Sequence, residues 1–110
     1  MPSRADQSAA ERRLYSQLRQ LLATPGLLRG NLVEMHRACG KATCHCSRDP
    51  ARRHRALYLG LSLQGRRRMV YIPPAWEADV RQWVARYARV RGVLEQLALR
   101  YLARVRRREE

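Results

Sequence analysis

All three cysteines of the chain lie within one short stretch, "CGKATCHC", at Cys39, Cys44 and Cys46. A chain of 110 residues buries only a modest core, so a domain of this size often needs a staple as well. An odd number of thiols leaves one unpaired in any disulfide scheme. The cluster therefore predicts a metal site, with a transient disulfide or three unligated thiols as the alternatives.

Zinc prefers four Cys or His ligands arranged as a tetrahedron, and the cluster supplies three thiolates. In an extended backbone, side chains two residues apart point the same way, so Cys44 and Cys46 can reach one ion. For the fourth ligand we favour His54, which lies just before a predicted strand. The other candidates are His36, His45 and Asp49. We expect a closed structural Zn²⁺ site held by Cys39, Cys44, Cys46 and His54.

Residues 57–72 have the alternation of a β-hairpin, with leucine at every second position from Leu57 to Leu63. If Gln64–Gly65 forms the turn, Leu57 lies opposite Ile72 and Tyr58 lies opposite Tyr71. One face of the hairpin is then aliphatic, and the other is aromatic and basic. A third, short strand is predicted at 31–37.

Two helices flank this sheet. A capping box formed by Ser8 and Glu11 predicts a helix over about Ala9–Ala23. A second, long helix is predicted from about Pro74 to about Arg107. Its apolar residues recur in steps of four and three, at Trp76, Val80, Trp83, Tyr87, Val90, Leu94, Leu97 and Tyr101.

These elements predict an α+β fold: an N-terminal helix, a short antiparallel sheet around a Cys/His zinc knuckle, and a long C-terminal helix. We divide the chain into 1–29, 30–73 and 74–110, which together form one compact domain. The second half of the long helix outruns a small sheet. The N-terminal helix, a second copy of the chain or another protein must therefore cover Val90, Leu94, Leu97 and Tyr101.

The chain carries 23 Lys and Arg against nine Asp and Glu, a formal net charge of +14. Arginine pairs bidentately with phosphates and stacks on flat rings, so we expect a nucleic-acid partner, DNA rather than RNA. A solvated surface in an arginine-rich proteome is the alternative. The candidate contacts are Arg37, Lys41, Arg48, Arg52, Arg53, Arg55, Arg66, Arg67, Arg68, Tyr58 and Tyr71.

Several function classes find no support in the sequence. It contains no apolar stretch of signal-peptide or transmembrane type, so we expect a cytoplasmic protein without a membrane partner. It also lacks a Ser-His-Asp set, a glycine-rich phosphate loop and paired carboxylates. We therefore expect a protein that is not an enzyme and has no small-molecule substrate.

The chain resembles a small prokaryotic domain family of unknown function in "GNLVEMHRACGKATCHC" (30–46) and "VYIPPAWEADVRQWVARYARVR" (70–91). The resemblance implies Cys39, Cys44, Cys46 and His54 as the shared Cys and His positions. The family's His-Gly-Pro is "HRA" here, at 54–56. Members often lie near transposases, which implies an accessory nucleic-acid-binding role in a mobile element or phage.

Overall fold

The fold follows from a computed structural model that describes residues 7–37 and 54–107. The chain forms a helix, three strands, a short 3₁₀ turn (Pro74–Trp76) and a second helix. In chain order the main elements are α1 (Ala9–Ala23), β1 (Asn31–Arg37), β2 (His54–Leu63), β3 (Arg66–Ile72) and α2 (Glu77–Arg106). This architecture confirms the predicted α+β fold, including the third strand and the long C-terminal helix.

The three strands form one antiparallel sheet in the order β1-β2-β3. Gln64 and Gly65 have φ angles of 52° and 78°, and the primed turn of a two-residue hairpin requires positive values at both central positions. The predicted register is confirmed, since Leu57 lies opposite Ile72. On the other side of β2, the ladder with β1 runs from Asn31 opposite Gly60 to Arg37 opposite His54.

The chain is divided into two compact units, and α2 contributes residues to both. The sheet unit comprises Leu28–Val84. In its core, α2 covers one face of the sheet through Val80, Trp83 and Val84. Leu57, Leu59 and Leu61 of β2 lie in this core, where Leu57 is only 1% exposed, whereas Leu63 at the end of the strand is 45% exposed. The backbone N–H of Leu28 donates to the carbonyl oxygen of Trp83 at 3.2 Å.

The helical unit comprises Met1–Leu27 and Ala85–Glu110. Its core consists of Leu14, Val93 and Leu97, with Tyr15, Leu18 and Leu21 packed against it. The segment after α1 is fastened to α2 by Arg86, whose Nη1 donates to the carbonyl oxygens of Pro25 and Gly26 at 2.8 and 2.7 Å. The sequence left open whether the N-terminal helix, a second copy of the chain or another protein packs on the second half of α2. At Leu97 it is the N-terminal helix, α1.

The start of α1 uses half of the predicted capping box. The Ser8 hydroxyl accepts a hydrogen bond from the backbone N–H of Glu11 at 3.1 Å, which satisfies a free amide of the first turn. The Glu11 side chain is buried and lies 3.2 Å from Nη2 of Arg104 on α2. In a full capping box the Glu11 carboxylate would accept a hydrogen bond from the backbone of Ser8. Here it forms a long-range ion pair with Arg104 instead.

Neither helix in the described ranges is both long and apolar enough to span a bilayer.

Candidate nucleic-acid interface

The predicted metal ligands fall mainly on the connection between β1 and β2. Seven of the predicted site residues lie outside the described residues: Cys39, Lys41, Cys44, Cys46, Arg48, Arg52 and Arg53. Among the residues that the structure describes, no group of three or more His, Cys, Asp or Glu could hold a metal ion. The fourth candidate ligand, His54, is the first residue of β2 and lies opposite Arg37, the last residue of β1. The two strand ends that flank the cysteine segment are therefore direct cross-strand neighbours.

The hairpin extends beyond β1 as a two-stranded ribbon. The β1 ladder ends at the Asn31–Gly60 pair, whereas β2 and β3 continue for three more pairs, from Leu61–Arg68 to Leu63–Arg66. We call this part of the hairpin the ribbon tip. Its open edge accepts a side-chain hydrogen bond, because Nη2 of Arg29 donates to the carbonyl oxygen of Ser62 at 2.8 Å.

The ribbon tip carries three consecutive exposed arginines, Arg66, Arg67 and Arg68. Because side chains alternate along a strand, Arg66 and Arg68 lie on the same face as the core leucines, and Arg67 lies on the opposite face. The guanidinium groups can therefore approach a polyanion from both faces of the ribbon.

The side of the sheet opposite the core, which we call the outer sheet face, is mainly apolar and aromatic in its described part. It carries the side chains of Asn31, Val33, Met35, Ala56, Tyr58, Ser62, Arg67, Met69 and Tyr71. Tyr71 is 51% exposed and Met69 is 43% exposed. The rings of Tyr58 and Tyr71 meet edge to face, with centroids 5.7 Å apart and an interplanar angle of 65°.

Gly60 makes room on this face for an arginine. A Cβ added at Gly60 would lie 2.6 Å from Nη2 of Arg67 and 3.1 Å from the sulfur of Met69. The guanidinium of Arg67 therefore lies across the backbone of β2 at the one position of that strand without a side chain. The sequence could not reveal this contact, since it joins residues on two strands through one arginine rotamer.

An ion-pair network lies on the other side of the sheet. Arg55 contacts Oε1 of Glu34 through Nη2 at 2.7 Å and Oε1 of Glu77 through Nη1 at 3.1 Å. Arg81 contacts Oε1 of Glu34 at 3.2 Å. The network joins β1, β2 and α2. Arg55, expected from the sequence to contact nucleic acid, is thus shared between two carboxylates.

Electrostatics in this network stabilise the charged forms. Hydrogen bonding from Arg55, followed by its positive charge, lowers the pKa of Glu34 below its ordinary value. Hydrogen bonds to Glu77 and then to Glu34 raise the pKa of Arg55 above its ordinary value. Glu34 is the sole acidic residue in the three strands as described, and it lies on the core side. No carboxylate therefore lies on the part of the outer sheet face that the structure describes.

The residues predicted to bind a partner through α2 have different environments. Val90 and Leu97 are buried, whereas Leu94 is 49% exposed. The Tyr101 hydroxyl lies 3.2 Å from that of Tyr15, and this hydrogen bond, together with burial, raises the pKa of Tyr101. The sequence pattern missed Val93, which is buried against α1 but falls outside the series of four- and three-residue steps.

Beyond these contacts, α2 keeps an exposed apolar strip, which we define as Leu94, Leu102 and Val105. Leu102 is 44% exposed and Val105 is 71% exposed. Spacings of eight and eleven residues place all three side chains close to one face of the helix. Of the predicted partner residues the strip contains Leu94, whereas Leu102 and Val105 were not predicted from the sequence.

A family model described as a domain of unknown function (DUF6788) matches residues 7–82. The chain therefore belongs to this family. The matched region runs from just before α1 into α2 and includes the whole sheet. No curated protein and no solved structure matches the chain.

We predict that replacing Arg55 by alanine returns the pKa of Glu34 towards its ordinary value of 4.5, because the hydrogen bond that lowers it is removed. NMR titration of the Glu34 carboxyl carbon measures this change. Arg66→Ala is the matched control, since it removes the same charge from the same sheet at an exposed position.

The pH dependence of stability has a definite direction. Because the folded-state pKa of Glu34 is depressed, its contribution to stability is complete above pH 4.5, the unfolded value, and is lost as the pH falls through the folded value. Arg55→Ala should reduce this loss, measured by chemical unfolding at several pH values. An unchanged Glu34 pKa in Arg55→Ala would contradict the role assigned to the network.

Proposed function

We propose that this member of the DUF6788 family is a small, basic, non-enzymatic protein that binds nucleic acid through the ribbon tip. The observation that carries the proposal is the placement of Arg66, Arg67 and Arg68, all exposed, on both faces of a ribbon that extends beyond the third strand. The resemblance to a family found near transposases supports a role as an accessory DNA-binding factor of a mobile element or phage, acting in the cytoplasm.

The chemistry of the tip favours phosphate as its target. Each guanidinium offers a planar fork of donors that matches two phosphate oxygens, and a two-stranded ribbon has the width of a DNA major groove, about 12 Å. The formal net charge of +14 steers the chain towards any polyanion. Glu34, the acidic residue of the sheet, does not oppose this attraction, because its carboxylate is held by Arg55 and Arg81.

The arginines differ in whether a phosphate would have to displace an existing ion pair. A phosphate that bound Arg55 would have to compete with Glu34 and Glu77, which already occupy its donors. The tip arginines extend away from this network. We therefore assign phosphate contact first to Arg66–Arg68 and assign Arg55 the task of holding the base of the hairpin.

We further propose that zinc stabilises the base of the hairpin through Cys39, Cys44, Cys46 and His54. The β1–β2 ladder supports this assignment, because it places Arg37, two residues before Cys39, directly opposite His54. The first proposed ligand, Cys39, thus comes two residues after the end of β1, and the last, His54, is the neighbouring first residue of β2. Thiolates and imidazole are the donors that zinc prefers, and a closed four-ligand site is structural rather than catalytic.

A second function, assembly through α2, is favoured by one observation. The exposed apolar strip presents Leu94, Leu102 and Val105 to solvent on a part of α2 that α1, packed against Val93 and Leu97, leaves uncovered. A homodimer or a docked partner protein would bury this strip. Such an adaptor role is compatible with nucleic-acid binding, because the strip and the ribbon tip belong to different units.

We predict that affinity for duplex DNA falls steeply with salt, since each neutralised phosphate contributes about 0.9 to the slope of log K against log salt concentration. Fluorescence anisotropy with a labelled duplex measures the slope. Replacing Arg66, Arg67 and Arg68 together by alanine should lower its magnitude by about 2 to 3.

The matched control for net charge removes three exposed arginines from the helical unit, Arg13, Arg19 and Arg100. It should change the slope much less. Salt-independent binding, or equal losses in the two triple variants, would count against contact by the ribbon tip.

We predict about one zinc per chain by elemental analysis of the purified protein, as a single four-ligand site requires. Cys44→Ser should lose both metal and the folded state by circular dichroism, because metal binding supplies part of the folding free energy. His54→Ala should behave in the same way, while His36→Ala, the control, should retain zinc. A wild-type protein that is metal-free and fully folded would exclude the structural zinc site.

For the assembly function, we predict that the wild type sediments as a dimer and that Leu102→Glu converts it to a monomer, since a charge cannot be buried unpaired in an apolar interface. Leu22→Glu is the control, because Leu22, at 51% exposed, is about as accessible as Leu102, at 44%, but lies on α1. Analytical ultracentrifugation across a concentration series measures both. A wild-type monomer at all concentrations rejects the homodimer.

A further inference from the structure

We propose that the outer sheet face binds single-stranded nucleic acid by stacking unpaired bases on Tyr71, with the guanidinium of Arg67 beside the ring. This inference rests on the proposed function, because it takes nucleic acid as the partner. It goes further in naming the class of nucleic acid and in assigning binding to a second surface, which shares Arg67 with the phosphate-contacting arginines of the ribbon tip and has Arg66 and Arg68 on its other side.

Val33, Tyr58 and Tyr71, which we call the aromatic row, form a flat surface on which a base can stack. Val33, Tyr58 and Tyr71 lie directly opposite one another across the three strands. Tyr71 is half exposed, while Tyr58 and Val33 are partly buried, so the row offers one accessible ring on an apolar floor. The edge-to-face contact with Tyr58, at 5.7 Å, supports the Tyr71 ring from one side. An aromatic side chain held in this way loses little conformational entropy when a base stacks on it.

Arg67 is positioned beside this row by the absence of a side chain at Gly60. Its Nη2 lies 2.6 Å from where a Cβ of residue 60 would be, so the guanidinium rests against the sheet. Gly60 is the diagonal cross-strand neighbour of Tyr71 on this face, and such neighbours lie about 7 to 8 Å apart. A guanidinium at that distance can contact the phosphate next to a stacked base or stack on the following base.

The shape of the face favours a single strand over a duplex. The bases of a duplex are already stacked on both sides, so only an unpaired base offers a free ring face to Tyr71. Tyr71 also lies in the three-stranded part of the sheet rather than in the ribbon tip. Three strands spaced about 4.8 Å apart, with their side chains, are too wide for a groove of about 12 Å.

The charge of the face favours a nucleic acid over a protein partner. Its apolar and aromatic side chains would suit either, but the described part of the face has Arg67 and no carboxylate. Glu34, on β1, points to the core side, where two arginines bind it. A polyanion with flat, unpaired bases complements both the rings and the cation.

The test compares three labelled ligands of equal length, about 12 nucleotides: oligo(dT), an abasic strand with the same phosphates, and a duplex. The wild type should bind oligo(dT) more tightly than the abasic strand. Tyr71→Ala should weaken binding of oligo(dT) by about 5- to 150-fold, the loss expected for one base–aromatic stack, and leave the abasic strand and the duplex unchanged. Tyr71→Phe, which keeps the ring, should bind as the wild type does.

A second variant tests the position of Arg67 without removing its charge. Gly60→Val should displace the guanidinium and weaken binding of oligo(dT), and circular dichroism should show that both Tyr71→Ala and Gly60→Val remain folded. If a variant unfolds, Tyr71→Leu and Gly60→Ala replace it in the same comparison.

The outcomes separate this inference from the proposed function. Equal affinity for oligo(dT) and the abasic strand, or equal losses for single strand and duplex in Tyr71→Ala, overturns stacking but leaves phosphate binding intact. Failure of all three ligands to bind at low salt overturns both, and the outer sheet face would then be a protein-docking or self-covered surface. Selective loss of oligo(dT) binding in Tyr71→Ala, with Tyr71→Phe unaffected, supports the inference.

Discussion

The register of β2 between its two neighbours is the constraint on which the sheet unit depends. Both ladders use this strand, so one alignment decides which side chains enter the core and which reach the outer sheet face. A shift of one residue would move Leu57 out of the core and Tyr58 into it. Since Leu57 is 1% exposed, that exchange would remove its buried contacts and bury a phenol in their place. The hydrophobic core therefore also fixes the aromatic row.

Charge is segregated by the same alternation. Glu34 shares the core side of the sheet with Arg55, and the pair is completed by α2 through Glu77 and Arg81. Exposed ion pairs of this kind contribute little to stability individually. Their consequence here is spatial, because the strand carboxylate is neutralised on one side while the guanidinium of Arg67 remains on the other. This separation is the physical basis of our proposal that the outer sheet face contacts nucleic acid.

In the helical unit, α1 covers part of the apolar surface of α2 and leaves the rest exposed. Leu97 and Val93 are covered by α1, and Arg104 meets the buried carboxylate of Glu11. One oxygen of Glu11, Oε2, has no hydrogen-bond partner in the described part of the protein. The Leu94, Leu102 and Val105 strip stays exposed because one neighbouring helix covers only part of the circumference. The helix pair thus leaves an apolar surface to which a second copy of the chain or another protein can bind.

The sequence by itself determined the elements and the hairpin register. A period of two with a two-residue turn fixes the opposition of Leu57 and Ile72, and the cap and proline signals bound the helices. It could not assign Arg55 to ion pairing, nor place Arg67 over Gly60. Those contacts join side chains on different elements, and only the folded arrangement brings them within reach of one another. Local patterns act through neighbouring residues, whereas the partners of long charged side chains depend on three-dimensional packing.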